Sequence, residues 1–353
     1  MFLFIHSAHT SLLFTFFLFL FIFSCISLFN VSFLYLRLQS IVINFQFSTN
    51  DIVCPSEQFR IGSMADCHPM LNCSSWPEIQ FDRQIVRGTV KHVHLARWKN
   101  QFIVVNQLID PVYQSDFDHG RRMLHAFSSV DNAEFAPITT TYLGKCDHPI
   151  PSFFTQFHPL GDALNVPTVV NDHRFAFDFL ATLWSLQRQL HHPLAESLRC
   201  FQLCISYVHI LSRLHLSSFG RRVMCDSNDL GKLLTQFLLQ QPDRLILNDL
   251  DALPDASGQK IRCGHRQLHG NLLAPEQLQP NATYDEKIDV WRVPDVCNWF
   301  LASCRPSPLL QFLLQPLHEQ SKARDPNLRV SSAWLLERYF QLNHTLFFEL
   351  IGN

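Results

Sequence analysis

The chain has 353 residues, of which 47% are apolar, so it is long enough to bury one sizeable core or a two-lobed domain with a short extension. Its 28 basic and 30 acidic residues give a formal net charge of -2 at pH 7. This balance gives no general electrostatic reason to bind nucleic acid or an anionic membrane surface. Partners must therefore be inferred from particular sites, and we expect no nucleic acid among them.

The first 36 residues have the composition of a membrane segment. Residues 1–35 contain no Asp, Glu, Lys or Arg, and residues 12–29 are mostly Leu, Phe and Ile. About 20 apolar residues span the hydrocarbon core of a bilayer, whereas a cleaved signal usually has a shorter apolar stretch and a small-residue cleavage site. We therefore expect a transmembrane signal-anchor within residues 1–36, in preference to a cleaved signal.

Two features give opposite orientations for that segment. Arg37 follows it and no basic residue precedes it, which by the positive-inside rule would leave the rest of the chain in the cytoplasm. Eleven cysteines and four Asn-X-Ser/Thr acceptors suit an oxidising lumen instead. The acceptors are Asn30, Asn72, Asn281 and Asn343. Although chance sequons and ordinary free cysteines are the alternative, we favour the lumen.

Residues 37–77 are expected to form a lumenal, cysteine-containing lead-in. Pro, Ser and the close cysteines Cys54, Cys67 and Cys73 occur there without clear periodicity, which is typical of irregular structure held by disulfides.

Residues 78–345 are expected to form one α+β domain. Short β-branched runs between residues 79 and 110 predict antiparallel strands, and from residue 180 onward apolar residues recur with helical spacing. A small β-rich N-lobe would thus be followed by a mainly helical C-lobe.

Five short motifs follow one another in the C-terminal half. In chain order they are Cys225-Asp226, Asn248-Asp249-Leu250-Asp251, Ala274-Pro275-Glu276, Asp289-Val290-Trp291 and Asp325-Pro326-Asn327-Leu328-Arg329. Each is weak alone. Their order and spacing match the catalytic Asp, the metal-binding Asp of Asp-Phe-Gly, Ala-Pro-Glu, the Asp-x-Trp helix and the late Arg of protein kinases. The sequence therefore predicts a two-lobed, protein-kinase-like fold.

The strings around these motifs resemble the protein O-mannose kinase family. They are residues 222–230, residues 248–254 and the Cys-Gly-His-Arg and Leu-His-Gly strings within residues 263–270. The similarity extends from about residue 54 to about residue 340. It implies a single-pass type II enzyme of the endoplasmic reticulum membrane with a lumenal catalytic domain. Such an enzyme would use ATP and Mg²⁺, or Mn²⁺ in its place, to phosphorylate the 6-hydroxyl of mannose in an O-linked trisaccharide on dystroglycan.

Phosphoryl transfer explains why two of these carboxylates are needed. One group must position the attacking hydroxyl and accept its proton, and a carboxylate must hold Mg²⁺ across the phosphates. We predict Asp226 for the first role and Asp249 for the second. The Asn that usually follows the catalytic Asp by five positions is absent, so we predict Gln236 as the amide ligand after a short insertion. Asn228 and Asp229 remain alternative oxygen donors.

The nucleotide-binding elements depart from the ordinary kinase pattern. Val86, Gly88 and Lys91 stand at the three glycine positions of the loop that covers the phosphates, and Asn106 stands where the strand Lys is usual. We predict that Gly88 retains the loop's role and that Lys91 supplies the missing cation, because an active site without one would lose a preorganised electrostatic interaction.

Two further nucleotide-site elements are expected. The position of the usual helix Glu falls near Gly120, with Asp116 and Asp118 as displaced candidates. The string Thr-Gln-Phe-His-Pro-Leu-Gly resembles an interlobe hinge, so the backbone groups of Phe157 and His158 are predicted to pair with adenine.

The kinase-like arrangement also leads to two structural expectations. Cys225 adjoins the predicted base and Cys263 begins the Cys-Gly-His segment, so we predict a disulfide between them. Glu276 and Arg329 are predicted to form a buried ion pair that anchors the activation segment.

Three functions remain to be separated. Retention of Asp226 and Asp249 favours an active glycan kinase. Loss of the glycines, the strand Lys and the loop Asn would suit a pseudokinase that binds glycan or nucleotide without transfer. A membrane scaffold would need neither carboxylate.

Overall fold

The structure is a computed structural model that describes residues 54–55, 57–128, 138–171, 193–264, 268–304 and 307–352. The membrane segment predicted within residues 1–36 lies outside these ranges. In the described ranges, no helix combines the length and the apolar character needed to cross a membrane.

An antiparallel five-stranded sheet forms the main part of the first half. In spatial order its strands are β3 (Ile79–Arg87), β4 (Lys91–Trp98), β5 (Gln101–Leu108), β7 (Ser152–Gln156) and β6 (Tyr142–Cys146). The β4–β5 pairing is in continuous register from Lys91 opposite Leu108 to Trp98 opposite Gln101. The antiparallel strands predicted between residues 79 and 110 are therefore confirmed.

The cysteine-containing lead-in packs against one face of this sheet. It contains the short paired strands β1 (Gln58–Phe59) and β2 (His68–Pro69). Apolar lead-in residues such as Phe59 share a buried core with Trp98 of β4. A Cys54–Cys67 disulfide closes the lead-in, and a Cys73–Cys146 disulfide ties it to the sheet. In its described residues, the lead-in is thus held by two disulfides, whereas the predicted bounds of 37–77 include residues outside the described ranges.

Helices dominate the rest of the described chain. They are α1 (Gln114–Ser128), α2 (Val166–Asn171), α3 (Pro193–His215), α4 (Leu230–Thr235), α5 (Lys287–Ser303), α6 (Pro308–Ser321) and α7 (Ser332–Gly352). Helix α3 packs against both α5 and α7 in the main core, and a Cys200–Cys304 disulfide joins it to the end of α5. A sheet-rich part is therefore followed by a helical part, which is consistent with a kinase-like fold.

A two-stranded hairpin interrupts the helical part. Strands β8 (Phe237–Gln241) and β9 (Arg244–Leu247) pair antiparallel directly after α4. Strand β9 ends at Leu247, so Asp249 follows it by two residues and reaches Lys91 of the five-stranded sheet. The sequence reading did not predict these strands, because their apolar residues continue the helical region without a break.

The predicted ion pair between Glu276 and Arg329 is confirmed. The guanidinium donates to both carboxylate oxygens, at 2.5 and 2.7 Å, and its Nε donates to the carbonyl of Ala323 at 2.7 Å. The Arg329 side chain is fully buried and that of Glu276 is 14% exposed.

Arg329→Met is expected to lower the free energy of unfolding by about 3 to 5 kcal/mol, because Glu276 would keep its charge in a mostly buried position without a partner. Urea denaturation would measure the loss. Arg338→Met is the matched control, since Arg338 is an exposed Arg that bonds only to Gln341 and stacks on Trp334 among the described residues. A loss below about 1 kcal/mol at position 329 would give the pair only the strength of a surface salt bridge and contradict the prediction.

The predicted disulfide between Cys225 and Cys263 is also present. It links the loop that carries Asp226 (the catalytic loop, residues 222–229) to the segment before Ala274-Pro275-Glu276 (the activation segment, residues 252–276) across a sequence separation of 38 residues. Replacing both cysteines with Ala is expected to cost about 4 kcal/mol in the chain-entropy model, against about 3 kcal/mol for the shorter Cys54–Cys67 loop. Peptide mapping without reductant should recover the linked pair. Alkylation of both thiols in the native protein would rule the bond out.

Candidate active site

The catalytic loop follows α3 and is held by buried polar groups of α5. The backbone N–H of Met224 donates to Asp289 Oδ2 at 3.1 Å, and Arg292 donates to the Met224 carbonyl at 2.8 Å and to Asp289 Oδ1 at 2.7 Å. His215 Nε2, at the end of α3, lies 3.0 Å from Asp289 Oδ2. Because both backbone groups of Met224 are held, the position of Asp226 two residues later is restricted.

The Asp226 carboxylate is half-buried and accepts a hydrogen bond from the ammonium of Lys232. Sequence reasoning missed Lys232. It is the only basic residue between Asp226 and Gln236. A search of the predicted insertion for a cation could therefore have identified it. A cation beside the predicted base is thus supplied by the inserted residues.

Lys91, at the first position of β4, reaches the predicted metal carboxylate. Its Nζ lies 2.6 Å from Asp249 Oδ1 and 3.9 Å from Asp251 Oδ2, and its side chain is only 14% exposed. Burial by itself would lower the pKa of Lys91, but the two carboxylates outweigh it, so the pKa is raised. Burial would likewise raise the pKa of Asp249, but the Lys91 ammonium holds it below its usual value. This pair is therefore ionised at neutral pH.

Asp251 is a second carboxylate that sequence reasoning did not single out. It occupies the glycine position of the Asp-Phe-Gly motif, where no side chain is expected. Burial and then the negative charge of Asp249 raise its pKa to about 7. The site therefore brings two carboxylates to one ammonium.

Gly88 and Asn106, the two other sheet positions compared with the kinase pattern, make their contacts within the sheet. The Gly88 N–H donates to the Lys91 carbonyl at 3.0 Å, which closes the turn between β3 and β4. Asn106 is buried in β5 and donates from Nδ2 to Thr155 Oγ1 at 3.4 Å. Its amide is thus used within the sheet and, in the described part of the chain, makes no hydrogen bond to the carboxylates, so it does not replace the strand Lys.

Helix α1 comes very close to Asp251 at Gly120. A Cβ at this glycine would lie 3.2 Å from the backbone N and Cα of Asp251. The displaced candidates for the helix Glu do not pair with Lys91 in the described part of the chain. Asp118 instead pairs with Arg121 at 2.8 Å, and Asp116 is exposed. That interpretation is therefore wrong, because the partners of the substitute cation come from the 248–251 segment.

The three proposed metal donors after Asp226 differ in their contacts. Asp229 caps α4 and accepts from the N–H groups of Gly231 and Lys232, at 2.9 and 3.3 Å. Asn228 Oδ1 is buried and has no hydrogen-bond partner among the described residues. The Gln236 carbonyl accepts the N–H of Asn248 at 2.8 Å, which places Gln236 next to the segment carrying Asp249. Oδ1 of Asp229 is thus engaged by the α4 cap, whereas the side-chain oxygens of Asn228 and Gln236 accept no hydrogen bond within the described residues.

Asp249 with Gln236 or Asn228 could hold a divalent metal. Mg²⁺ prefers oxygen ligands and usually takes only one or two carboxylates, with water and phosphate completing its shell. The described residues contain no group of three or more His, Cys, Asp or Glu that could hold a metal without such help. The donor set fits a metal that arrives with a nucleotide.

Phe157 and His158 directly follow β7, at the edge between the sheet and the helical part. His158 is buried, its Nε2 lies 3.0 Å from Thr140 Oγ1, and burial lowers its pKa to about 4. Its carbonyl accepts the N–H of Gly161 at 3.2 Å. The His158 imidazole is therefore neutral and used in packing. Its side chain is thus not needed for the predicted pairing with adenine, which involves only backbone groups.

The chain combines these carboxylates and their two lysines with a sheet-rich part followed by a helical part, which is consistent with a kinase-like phosphotransferase. No protein-family model matches the chain. The human protein O-mannose kinase is 35% identical over 329 residues, which cover 89% of this chain and 87% of the human one. The Macaca fascicularis protein O-mannose kinase is 34% identical over 308 residues, covering 83% and 81%, and that of Gallus gallus is 35% identical over 306 residues, covering 81% and 79%.

The chain belongs to the protein O-mannose kinase family and is an enzyme that transfers phosphate. A kinase of this family implies the use of ATP, a divalent metal and a glycoprotein substrate.

Proposed function

We propose that the enzyme transfers the γ-phosphate of ATP, with Mg²⁺ or Mn²⁺, to the 6-hydroxyl of an O-linked mannose. The acceptor would be a trisaccharide on a dystroglycan-like glycoprotein. The observation that carries the proposal is the 2.6 Å contact between Lys91 and Asp249, because it supports a cation and a metal carboxylate in one site although the strand Lys is absent. This contact answers one of the three losses that favoured the pseudokinase, the missing strand Lys, and leaves the lost glycines and the lost loop Asn as its support.

Each residue has one role in the proposed reaction. Asp226 orients the mannose hydroxyl and accepts its proton while the new O–P bond forms and the bond from the γ-phosphorus to the β,γ-bridging oxygen breaks, which releases ADP. Lys91 offsets negative charge on the phosphates, and the turn at Gly88 covers them. Asp249 with Gln236 or Asn228 holds the divalent cation, which neutralises phosphate charge when bound.

The nucleotide base is assigned to the segment after β7. The backbone groups of Phe157 and His158 would pair with adenine, and the neutral His158 side chain would stay in its contact with Thr140. The catalytic domain would comprise residues 78–345, with the lead-in packed on its sheet.

The test is incubation of the full chain with ATP, Mg²⁺ and a panel of mannose-containing glycans, followed by mass spectrometry. A gain of one phosphate on the O-mannosyl trisaccharide, and none on its 6-deoxymannose analogue, is the expected result. Asp226→Asn is the matched control for a contaminating kinase. Glycan binding without phosphate gain would return the pseudokinase as the better function.

We also propose that the catalytic domain lies in the lumen of the endoplasmic reticulum, anchored by one type II span within residues 1–36. Four disulfides in the described chain support an oxidising compartment. Two acceptor asparagines, Asn72 and Asn281, are exposed, whereas Asn343 is half-buried in α7 and accepts from Gln202 at 2.8 Å.

Glycosidase treatment of protein from a eukaryotic host is expected to increase gel mobility. The exposed acceptors should account for the change, so Asn72→Gln and Asn281→Gln should each remove part of it, whereas Asn343→Gln should have little effect. An unchanged band, together with digestion by protease from the cytosolic side of intact microsomes, would contradict the lumenal assignment.

A further inference from the structure

A cavity of about 280 Å³ lies beside the catalytic loop. Its walls come from the turn between β3 and β4, the start of α1, the residues that follow Asp249 and the activation segment. They include Cys225, the residue before the proposed base Asp226, and Asp251, a neighbour of Lys91. A molecule seated in this cavity would therefore lie next to the groups proposed for phosphate transfer.

The polar side chains that line the cavity are Asp116, Asp251 and Arg262. Arg262 uses one N–H, on Nη1, to donate to Asn281 Oδ1 at 2.9 Å. Within the described ranges, its other donors make no hydrogen bond, and neither does the carboxylate of Asp116. The cavity thus offers carboxylate acceptors on one side and an oriented guanidinium on another.

These groups suit a neutral ligand rich in hydroxyls. Each sugar hydroxyl can donate to a carboxylate and accept from a guanidinium. Two carboxylates and one guanidinium make the cavity unfavourable for an anion such as the nucleotide. The volume is slightly below the roughly 300 to 1,000 Å³ of pockets that take drug-sized ligands, so it suits a single ring better than a chain.

We propose that this cavity binds one neutral sugar ring of the acceptor glycan and that Arg262, positioned by Asn281, determines specificity for that ring. The inference rests on the proposed glycan kinase function and adds the location of the acceptor. Asn281 orients the guanidinium across the activation segment, and the Cys225–Cys263 disulfide fixes the wall that carries Arg262. The disulfide thereby links the segment that carries Arg262 covalently to the loop that carries the proposed base Asp226.

The test compares acceptor and nucleotide kinetics of the full chain. Arg262→Gln is expected to raise the KM for the O-mannosyl trisaccharide at least about tenfold, the loss typical of one hydrogen bond to a charged group. Asp116→Asn should raise the same KM, and the KM for ATP should stay within about twofold in both variants, below the effect of one such bond. An unchanged acceptor KM for Arg262→Gln, or an equal rise in both KM values, would overturn the proposal.

Three variants separate positioning from other effects. Asn281→Ala removes the contact to Arg262 and should raise the acceptor KM, whereas Thr283→Ala removes only the glycosylation sequon and should not. Arg221→Gln, at an exposed Arg that pairs with Glu286 at 3.2 Å, controls for loss of positive charge and should match the wild type. A matching rise in Thr283→Ala would assign the effect to the glycan and contradict the role of Asn281. Thermal melts check that each variant is folded.

Failure of the cavity assignment can be distinguished from failure of the proposed function. If the wild type phosphorylates the glycan but Arg262→Gln has normal kinetics, the cavity assignment is wrong and the function stands. If the wild type transfers no phosphate, saturation-transfer NMR with the trisaccharide measures binding alone, and binding that is lost in Arg262→Gln supports the cavity. Absence of binding to the wild type overturns both. Binding that is competed away by a lysine-rich peptide but not by free glycan would identify a basic peptide, and not a sugar, as the occupant of the cavity.

Discussion

Asp226→Asn is expected to lower phosphate transfer by about two to four orders of magnitude, the range typical of losing a general base. The amide cannot accept the proton of the sugar hydroxyl, although it fills the same volume. Nucleotide affinity should remain close to wild type, because Asp226 contacts Lys232 and has no assigned contact with the phosphates. Asp249→Asn should instead weaken both metal-dependent ATP binding and transfer. Single-turnover rates and calorimetric ATP titrations would separate the two variants.

Asp229→Asn is the matched control for this prediction. Asp229 lies three residues after Asp226 and caps α4, and Asn is an equally good N-cap residue. Its activity should therefore equal that of the wild type. Wild-type turnover in Asp226→Asn, with the protein folded, would show that another group acts as the base.

Lys91→Met is expected to lower turnover by about two or more orders of magnitude, which one preorganised charge can contribute. The substitution removes the ammonium that lies 2.6 Å from Asp249 Oδ1, and it leaves Asp249 and Asp251 without their shared cation. With both carboxylates repelling each other, the pKa of Asp249 should rise. Turnover and ATP affinity would be measured after a thermal melt confirms folding.

Arg97→Met and Lys99→Met are the matched controls for Lys91→Met. The Arg97 guanidinium stacks on Phe102, 4.9 Å from the ring centroid, and the Lys99 ammonium lies 4.7 Å from the centroid of Trp98. Both cations thus contact aromatic rings of the sheet, so replacing either one should leave turnover unchanged. A loss shared by all three variants, or wild-type turnover in Lys91→Met, would show that the phosphate-directed cation comes from elsewhere.

Sequence pattern predicted those features that depend on local order along the chain. The β-branched runs between residues 79 and 110 predicted the strands, because short runs of such residues between turns are typical of a partly buried sheet. The position of Lys91 in an eroded glycine loop was enough to predict its approach to the site, since the loop lies over the phosphates in any kinase-like fold. Glu276 and Arg329 were likewise recognised from motifs whose pairing is part of that fold.

Contacts that depend on a particular tertiary approach were not predicted. Asp251 was overlooked because its importance arises only when α1 and β4 meet the 248–251 segment. The Cys73–Cys146 and Cys200–Cys304 bonds could not be derived, since eleven cysteines allow many pairings. The contact of Arg262 with Asn281 joins two exposed loop positions, and nothing in their sequence spacing relates them.

The close approach at Gly120 makes the changed cation site difficult to reverse. An ordinary kinase pair would need Asn106→Lys in β5 and Gly120→Glu in α1. Any side chain at position 120 would bring its Cβ to 3.2 Å from the backbone of Asp251, so α1 or the 248–251 segment would have to shift. The shift needed is a few tenths of an ångström, and it would fall on the segment whose carboxylates hold Lys91. Gly120→Glu alone would therefore crowd the segment that holds Lys91 without completing the strand–helix pair, so engineering would have to change β5 and α1 together.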